Sequence, residues 1–458
     1  MKNSAYLTIP NAALSVIEQL NAHHHEAFFV GGCVRDYLMH RPIHDYDITT
    51  SALPHQVQEI FQDRYKILPI GLKHGTLTII AEDLPIEVTT YRIERDYLHH
   101  RAPSRVEFTD DLFLDLARRD FTINAMAMHP SLGIVDPFHG QSDLKNGCIR
   151  CVGDPRQRLE EDALRILRAI RFYASLHFSL DPALRKAIQE KAALLTFLSK
   201  ERIRDELNRI LASDQTQLLH LLHDLCLLPY LFPSLLPLLQ LQQETPWHLY
   251  DVFTHTDIAL DHSLHAPLAQ RLALIYHDCG KALAKTIDAQ GIAHFKGHAK
   301  ISAAIAKEAL EDLHYDKKSI QLIYTLILYH DTYIDPTPLA IRQFLSKLQF
   351  DYALADQILA VQYADNCAKN PQKATVKNEN IKKVRQMMQA MKAAHVRLTM
   401  KDLAINGKDL LAIHFHGKQI KEALELAYAH VIEQPQENTK ELLLNYIQQQ
   451  LCKNKDHS

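Results

Sequence analysis

The residues best suited to chemistry lie in a glycine pair and two short stretches bearing carboxylates. An apolar run, Ala27–Val30, ends at Gly31-Gly32, and a second extended segment carries Asp45 and Asp47. Glycines after a strand let backbone N–H groups come close to a phosphate. Residues two apart on a strand point to the same face, so Asp45 and Asp47 are expected to converge. Two converging carboxylates beside a phosphate cradle are what a pair of Mg²⁺ ions needs. Glu87 sits in a later β-rich segment, Pro85-Ile-Glu-Val-Thr-Thr-Tyr. Beside the aspartate strand it would complete a two-metal site; the plainer alternative is a polar residue on a solvated sheet face. This set points to nucleotidyl transfer.

Two further constellations lie downstream. Asp162, Arg165, Arg168 and Arg171 stand three apart, with Leu164, Ile166, Leu167 and Ile170 between them. On one helix, successive members are neighbours, and by themselves they describe a solvated face with ion pairs. Residues 247–370 are rich in histidine, and His255, His277, Asp278 and Asp365 form a His…His-Asp…Asp series. Imidazole with carboxylate suits a transition metal or Mg²⁺. The alternative is a set of histidines satisfied by core hydrogen bonds. His298 and His330 are candidates for further ligands or substrate contacts.

The elements that must position these residues follow from local pattern. A helix is expected over 11–21, another over Leu53–Phe61, and strands over 75–80 and 85–91. Residues 92–111 are dense in charge and poor in pattern, which reads as a mobile loop. Arg118 and Arg119 are expected to introduce an amphipathic helix. Arg119 near the metals would hold a triphosphate bidentately, and Arg118 would pair with Asp115 or Asp120. Asp136-Pro-Phe-His-Gly reads as a turn and Ile149–Val152 as a short strand. From about 159 the chain turns helical, with a further helix over Ile203–Leu211. Two or three helices are expected over 402–451, then a polar tail.

Composition bounds the class. The chain has 458 residues, 47% of them hydrophobic and 23% charged, with a formal net charge of −3. That balance does not advertise a nucleic-acid binder, so any such surface needs local segregation of charge. Residues 369–408 supply it: ten Lys or Arg stand against Glu379 and Asp402. Such a block suits contact with a phosphate backbone. Of seven cysteines only Cys148 and Cys151 are close, which argues against a four-Cys zinc site and suits a reducing cytoplasm. The first residues lack the apolar run of a signal peptide. The most apolar stretch, 218–241, is broken by His220, His223, Asp224 and three prolines, so it reads as core rather than a membrane span.

Four ordered blocks resemble the class II tRNA nucleotidyltransferases, the CCA-adding enzymes and bacterial poly(A) polymerases. They are Gly31-Gly-Cys-Val-Arg-Asp with Asp45-Tyr-Asp; Arg118-Arg-Asp-Phe-Thr-Ile-Asn; Asp136-Pro-Phe-His-Gly; and Glu161-Asp-Ala-Leu-Arg-Ile-Leu-Arg-Ala-Ile-Arg-Phe. The resemblance implies an α+β fold: a small antiparallel palm-like sheet at the N-terminus, then an extended all-helical remainder. It implies a head over 1–150, a base-reading neck over 151–212, a body with an HD-type metal motif over 213–370 and an RNA-contacting tail over 371–458. By match to the motifs, Gly31, Gly32 and Arg35 would hold the incoming triphosphate, Asp45 and Asp47 would bind Mg²⁺, and Arg119 would contact the nucleotide. Asp162 and Arg165 would meet the base, with Arg168 and Arg171 near the nucleotide and primer. The implied activity is addition of C, C and A to the tRNA acceptor end from CTP and ATP, without a template.

Hydrogen-bond geometry explains how such a pair chooses bases. Cytosine and adenine both present an amino donor beside a ring-nitrogen acceptor, whereas uracil and guanine present the reverse. A carboxylate (Asp162) beside a guanidinium (Arg165) matches the first pattern and opposes the second. Other readings stay open from sequence. An enzyme adding only CC would carry a reduced loop, and residues 92–111 look complete; an A-only enzyme is not excluded. A poly(A) polymerase would carry a Gly, two basic residues and Phe where this chain reads Pro69-Ile-Gly-Leu-Lys-His-Gly-Thr. A metal-dependent phosphohydrolase of the His-Asp (HD) superfamily, as a second activity in the body, is the alternative of another class.

Overall fold

The computed structural model describes residues 9–98, 102–396 and 398–453. The chain folds as two compact units, one ending at Pro233 and one beginning at Ser234.

The first unit opens with α1 (Asn11–Ala22), β1 (Ala27–Val30), α2 (Gly32–Leu38), β2 (Tyr46–Thr50) and α3 (Pro54–Phe61). Next come β3 (Lys66–Leu68), β4 (Thr76–Ala81), β5 (Leu84–Thr90), β6 (Arg92–Leu98), β7 (Ala102–Phe108) and α4 (Leu112–Ala117). A single 3₁₀ turn at Thr122–Asn124 leads to β8 (Ala127–His129), β9 (Gly133–Val135) and α5 (Gly140–Lys145). Seven of these strands form one sheet in the order β3-β4-β5-β2-β1-β8-β9. Its back face buries Phe29, Tyr46, Ile48, Ile79, Ile86 and Val88 against Val16, Ile17 and Leu20 of α1 and Val57 and Phe61 of α3. Period-2 alternation then forces Asp47, Thr49 and Glu87 onto the other face. The α+β class matches expectation, and the sheet is antiparallel in every pairing but one. β2 and β5 run parallel, with Asp47 paired to Glu87.

The remainder of this unit is mainly helical: α6 (Pro155–Glu161), α7 (Leu164–Leu176), α8 (Pro182–Lys191), α9 (Lys200–Leu211), α10 (Leu218–Asp224) and α11 (Leu228–Leu231), interrupted by a parallel pair of two-residue strands, Cys148–Ile149 and Ser179–Leu180, so it is not all-helical as expected. α7 buries Ile166, Leu167, Ile170 and Phe172. The second unit holds α12 (Val252–Asp261), α13 (Leu268–Tyr276), α14 (Lys281–Ala284), α15 (His298–Asp312), α16 (Lys317–Tyr329), α17 (Pro338–Lys347) and α18 (Tyr352–Cys367). It continues through α19 (Pro371–Ala393), α20 (Gly407–Leu411), α21 (Lys418–Glu433) and α22 (Lys440–Lys453), the last three around a separate small core of Leu403, Leu410, Ala427, Val431 and Leu443. No described helix is long and apolar enough to cross a membrane.

Five local expectations need correction. Residues 92–98 and 102–108 form an antiparallel two-stranded ribbon rather than a patternless loop, while 99–101 lie outside the described residues. Ladder hydrogen bonds use only backbone groups, so charged side chains do not forbid a ribbon. Arg118 and Arg119 follow a helix instead of introducing one, because Arg118 caps the C-terminus of α4. Asp162 and the three arginines do not share a helix: Asp162 has φ −137° and ψ 106° and ends α6. The only β strand at 149–152 is the two-residue Cys148–Ile149. Of the ten cations over 369–408, Lys369 is buried against Asp365, Lys382 pairs with Glu379 and Arg385 with Asp356; Arg397 lies outside the described residues. Asp365 and Asp356 lie outside the segment, so Lys369 and Arg385 subtract from its positive surplus beyond the Glu379 already counted.

The Asp136–Gly140 turn is where expectation and structure agree most closely. The Asp136 carboxylate accepts the N–H groups of Gly140 at 2.7 Å and Gln141 at 2.9 Å. A Cβ on Gly140 would stand 2.2 Å from the Thr122 carbonyl oxygen. Because that neighbour is backbone, Gly140→Ala is expected to destabilise the unit by about 1–3 kcal/mol, seen as a lowered urea midpoint at unchanged m-value.

Candidate functional site

The front of the sheet meets α7 and α9 across a cleft of about 530 Å³. Asp47 stands part-buried on β2, its neighbour Glu87 is exposed on β5, and Asp45 is exposed just before the strand begins. The sequence placed both aspartates on one strand; the structure keeps Asp45 at its mouth and puts Glu87 in the closest register. Burial, then Glu87, raise the Asp47 carboxyl to about 6 against the pull of Arg119, with Asp45 adding to the rise. A cluster of carboxylates that resists ionisation in this way is a site made for cations.

Gly31 ends β1 with φ +74°. A side chain there would meet Arg119 Nη1 at 3.1 Å and Asp47 Oδ2 at 3.6 Å, so glycine answers both a conformation and a close approach. A Cβ on Gly32 meets only Arg35 at 3.6 Å, an ordinary contact. The predicted arginines all line the cleft: Arg35, Arg119, Arg165, Arg168 and Arg171, joined by Arg92, Arg118 and Arg202. Eight guanidiniums against Asp47, Glu94, Asp120 and Asp162 make it a polyanion site.

Most of these arginines are held by a carboxylate behind them. Arg118 pairs with Asp115 at 2.8 Å and Glu94 at 3.0 Å, and Arg119 with Asp115 at 3.4 Å. Arg168 is 2.6 Å from Asp120 and Arg171 is 2.9 Å from Glu206. Arg35 donates to Asn124 at 2.8 Å. The Phe172 ring lies 5.2, 5.7 and 4.8 Å below the guanidiniums of Arg35, Arg168 and Arg171, a shared cation–π platform. The Nε of Arg119 is buried with no hydrogen-bond partner among the described residues.

Asp162 and Arg165 reach the cleft by different routes. Arg165 is buried and donates to Glu161 and to the carbonyls of Arg158 and Arg118, which fixes its plane. Asp162 accepts the N–H of Leu164 at 3.1 Å and lies 3.6 Å from Arg202, a residue sequence reasoning did not single out. Only the packing of α9 against α7 brings Arg202 there, so local spacing carried no signal for it.

The second unit holds the histidine cluster. His255 (α12), His277, Asp278, His298 (α15), His330 and Asp365 (α18) are all buried. His255 Nε2 is 2.9 Å from Asp365 Oδ1, and His277 Nε2 is 3.2 Å from Asp278 Oδ2. His277 Nε2 and both Asp278 oxygens make no hydrogen bond among the described residues. Burial pulls His277 down, but Asp278 and Asp365 overcome it and lift it to about 10. The four expected members do converge, and His298 and His330 join them. Lys281 lies 2.7 Å from Asp278 and Lys369 2.6 Å from Asp365, two partners that sequence reasoning missed. The Lys281 spacing, three past Asp278, was visible on inspection.

Residues 27–150 match the family model described as the poly A polymerase head domain, and residues 286–447 one described as a putative tRNA nucleotidyltransferase domain 2. Residues 177–239 match a probable RNA- and SrmB-binding site of polymerase A. The CCA-adding enzyme of Staphylococcus saprophyticus is 47% identical over 214 residues, which cover 47% of this chain and 52% of that protein. The chain thus spans about half the length of the curated relatives it matches. The Bacillus stearothermophilus CCA-adding enzyme in complex with CTP superposes with a TM-score of 0.72 at 28% identity, covering 98% of this chain and 100% of that one. The Thermotoga maritima CCA-adding enzyme complexed with tRNA shares the fold, with a TM-score of 0.58 at 20% identity over 96% and 95% of the two chains.

The raised Asp47 carboxyl has a consequence for stability. The folded chain holds this proton more tightly than the unfolded chain, where Asp titrates near ~3.9. The charged form therefore subtracts stability above pH of about 6, and the penalty vanishes below the unfolded value. In chelator, Asp47→Asn is expected to stabilise the fold near neutral pH by up to roughly 2 kcal/mol, read as a raised melting temperature, with the gain shrinking toward pH of about 4. Thermal melts across that range check the sign.

Proposed function

Since the chain belongs to the tRNA nucleotidyltransferase and poly(A) polymerase family, we propose that it adds C, C and A to the 3′ end of tRNA from CTP and ATP without a template. The carrying observation is Asp47, in register beside Glu87, on the wall of a cleft lined by eight arginines. Asp45, Asp47 and Glu87 would hold Mg²⁺, and their chemistry fits: clustered carboxylates, one of them pushed toward neutrality by burial and by its acidic neighbours. When bound, the ions lower the pKa of the attacking 3′-hydroxyl and neutralise the pyrophosphate leaving group. Arg119 and Arg35 bind the triphosphate, and Gly31 lets the backbone pass close to it. Arg168 and Arg171, anchored by Asp120 and Glu206, hold the nucleotide and primer in line for attack.

Base choice rests on Asp162 and Arg165. The carboxylate accepts the amino group of cytosine or adenine, and the guanidinium, fixed by three acceptors, donates to the ring nitrogen. Uracil and guanine meet like against like, which costs about 1–3 kcal/mol for each mispaired group. Asp162→Ala is expected to admit UTP and GTP and to lower incorporation of C and A at least tenfold. Unchanged discrimination contradicts the assignment. The activity itself is tested on tRNAs ending at the discriminator base, at C and at CC, with CTP and ATP separately and together. Sequenced ends reading CCA from all three are expected. Growth only from CC would make it an A-adding enzyme, stopping at CC a CC-adding one, and long A tails on unrelated RNA a poly(A) polymerase.

A second reading concerns the helical unit. Nε2 of His255 and of His277 each lie within 3.6 Å of both Asp278 and Asp365, which favours a divalent metal held by these four residues, and with it hydrolysis of phosphate esters. Lys281, Lys296, Lys369 and Lys377 line an adjoining cavity of about 320 Å³ and suit an anionic substrate. His277→Ala is expected to abolish phosphatase activity on p-nitrophenyl phosphate and leave nucleotide addition intact. Equal hydrolysis by both proteins would dismiss this reading.

A further inference from the structure

We propose that Asn124 is a positioning residue. It ties Arg35 on α2 to Asp120, and through Asp120 to Arg168 on α7, so that the helix carrying Arg165 also sets the arginine offered to the triphosphate. The proposal rests on the reading of Arg35 as a triphosphate ligand and adds the group that aims it.

The direction of each hydrogen bond is fixed by its neighbours. Arg35 Nη1 donates to Asn124 Oδ1 at 2.8 Å, and Asn124 Nδ2 donates to Asp120 Oδ1 at 3.3 Å. Asp120 Oδ2 in turn accepts from Nε and Nη2 of Arg168 at 2.7 and 2.6 Å. A guanidinium only donates, and an ionised carboxylate only accepts. Burial works against the Asp120 charge, but Arg168 outweighs it and holds the carboxyl below the ordinary range. Between such neighbours the amide has one satisfactory orientation, oxygen toward Arg35 and nitrogen toward Asp120. Asparagine thus joins a guanidinium to a carboxylate without adding a charge to the cleft.

The joint is rigid on its own side. Asn124 is buried and closes the 3₁₀ turn at Thr122–Asn124. Thr122 pins that turn: its N–H donates to the Arg150 carbonyl oxygen at 2.9 Å, and its hydroxyl donates to Asp143 at 2.7 Å. Asp120 Oδ1 is held as well by the N–H of Phe121 at 2.8 Å.

Arg35 depends on this joint for its place in the cleft. Its other hydrogen-bond partner is Asp36, the next residue on α2, which accepts from Nε and Nη2 at 2.9 Å each. Asp36 moves with α2 and so does not fix Arg35 against α7. Asn124 does so, together with the Phe172 ring 5.2 Å from the guanidinium. The remaining hydrogen on each Nη makes no hydrogen bond among the described residues and is left for an anion. A guanidinium aimed in advance loses less freedom when the anion arrives.

Nucleotide binding decides the matter, because a direct contact and a positioning role give different mutant cycles. Affinities for CTP and CMP are measured by isothermal titration of the full chain with Mg²⁺ and no RNA. Arg35→Ala and Asn124→Ala are each expected to weaken CTP about tenfold and CMP less than about twofold. The double variant is expected to match Arg35→Ala alone within about twofold, since Asn124 acts through that guanidinium. In C addition to tRNA ending at the discriminator base, Asn124→Ala is expected to raise KM for CTP at nearly unchanged kcat and to keep the preference for CTP over UTP. Additive losses in the double variant, or an equal loss for CMP, overturn the positioning role. Unchanged CTP affinity in Arg35→Ala overturns the triphosphate role of Arg35 and this proposal with it. The expected binding cycle without any C addition supports the tie and strikes the reaction reading instead. Thermal melts check the fold, and Asn124→Ser replaces Asn124→Ala should the latter not fold. Failure of both to fold overturns the proposal, since Asn124 would then serve the core and not the arginine.

Discussion

The first unit depends on one buried carboxylate, Asp115. It is fully buried on α4, and it accepts from the Thr49 hydroxyl at 3.1 Å and from the backbone N–H of Arg92 at 3.3 Å. Arg118 and Arg119 close on its two oxygens. Burial opposes its charge, but the two guanidiniums overcome it and hold the carboxyl below the ordinary range. One residue thereby ties the strand that bears Asp47, the start of the β6–β7 ribbon and two cleft arginines into a single network. Removing one partner of such a network strands the rest, at several kcal/mol.

Around that anchor, the cleft is a problem of keeping like charges in place. Eight arginines that repel one another stay fanned out because carboxylates and a phenylalanine ring stand behind them. The crowding shows in Arg171, which burial and then Arg168 lower to about 10 despite Glu206. On the opposite wall, Asp47 suffers the reverse crowding from Glu87 and Asp45. The proposed triphosphate with a divalent cation would answer both strains at once, since it would bring anions to the arginines and cations to the carboxylates.

The helical unit solves a similar problem with different groups. Asp278 and Asp365 are buried carboxylates whose charge is favoured by histidines and by Lys281 and Lys369. Main-chain carbonyls at the ends of α13 and α16 and in the loop before α15 set the imidazole orientations. Rigid helices and loops, rather than long flexible side chains, thus place the polar atoms.

Much was legible in the chain itself. Gly31 after an apolar run, Asp47 on its strand and the Asp136–Gly140 turn carry their meaning in residue type and short spacing, because the forces concerned act within a few residues. The helices that bury an apolar stripe were likewise visible. Charge without alternation hid the β6–β7 ribbon, since backbone hydrogen bonds rather than side chains build it. The parallel pairing of β2 with β5 was not legible either. Nothing local says which edge a strand forty residues away will choose; that follows from which faces can be buried together against α1 and α3. For the same reason only tertiary structure joined Asp162 to Arg202 and His298 to His330. The sequence determined which groups are present and which face each occupies; packing of distant elements decided which groups meet, because loop closure and burial are properties of the whole fold.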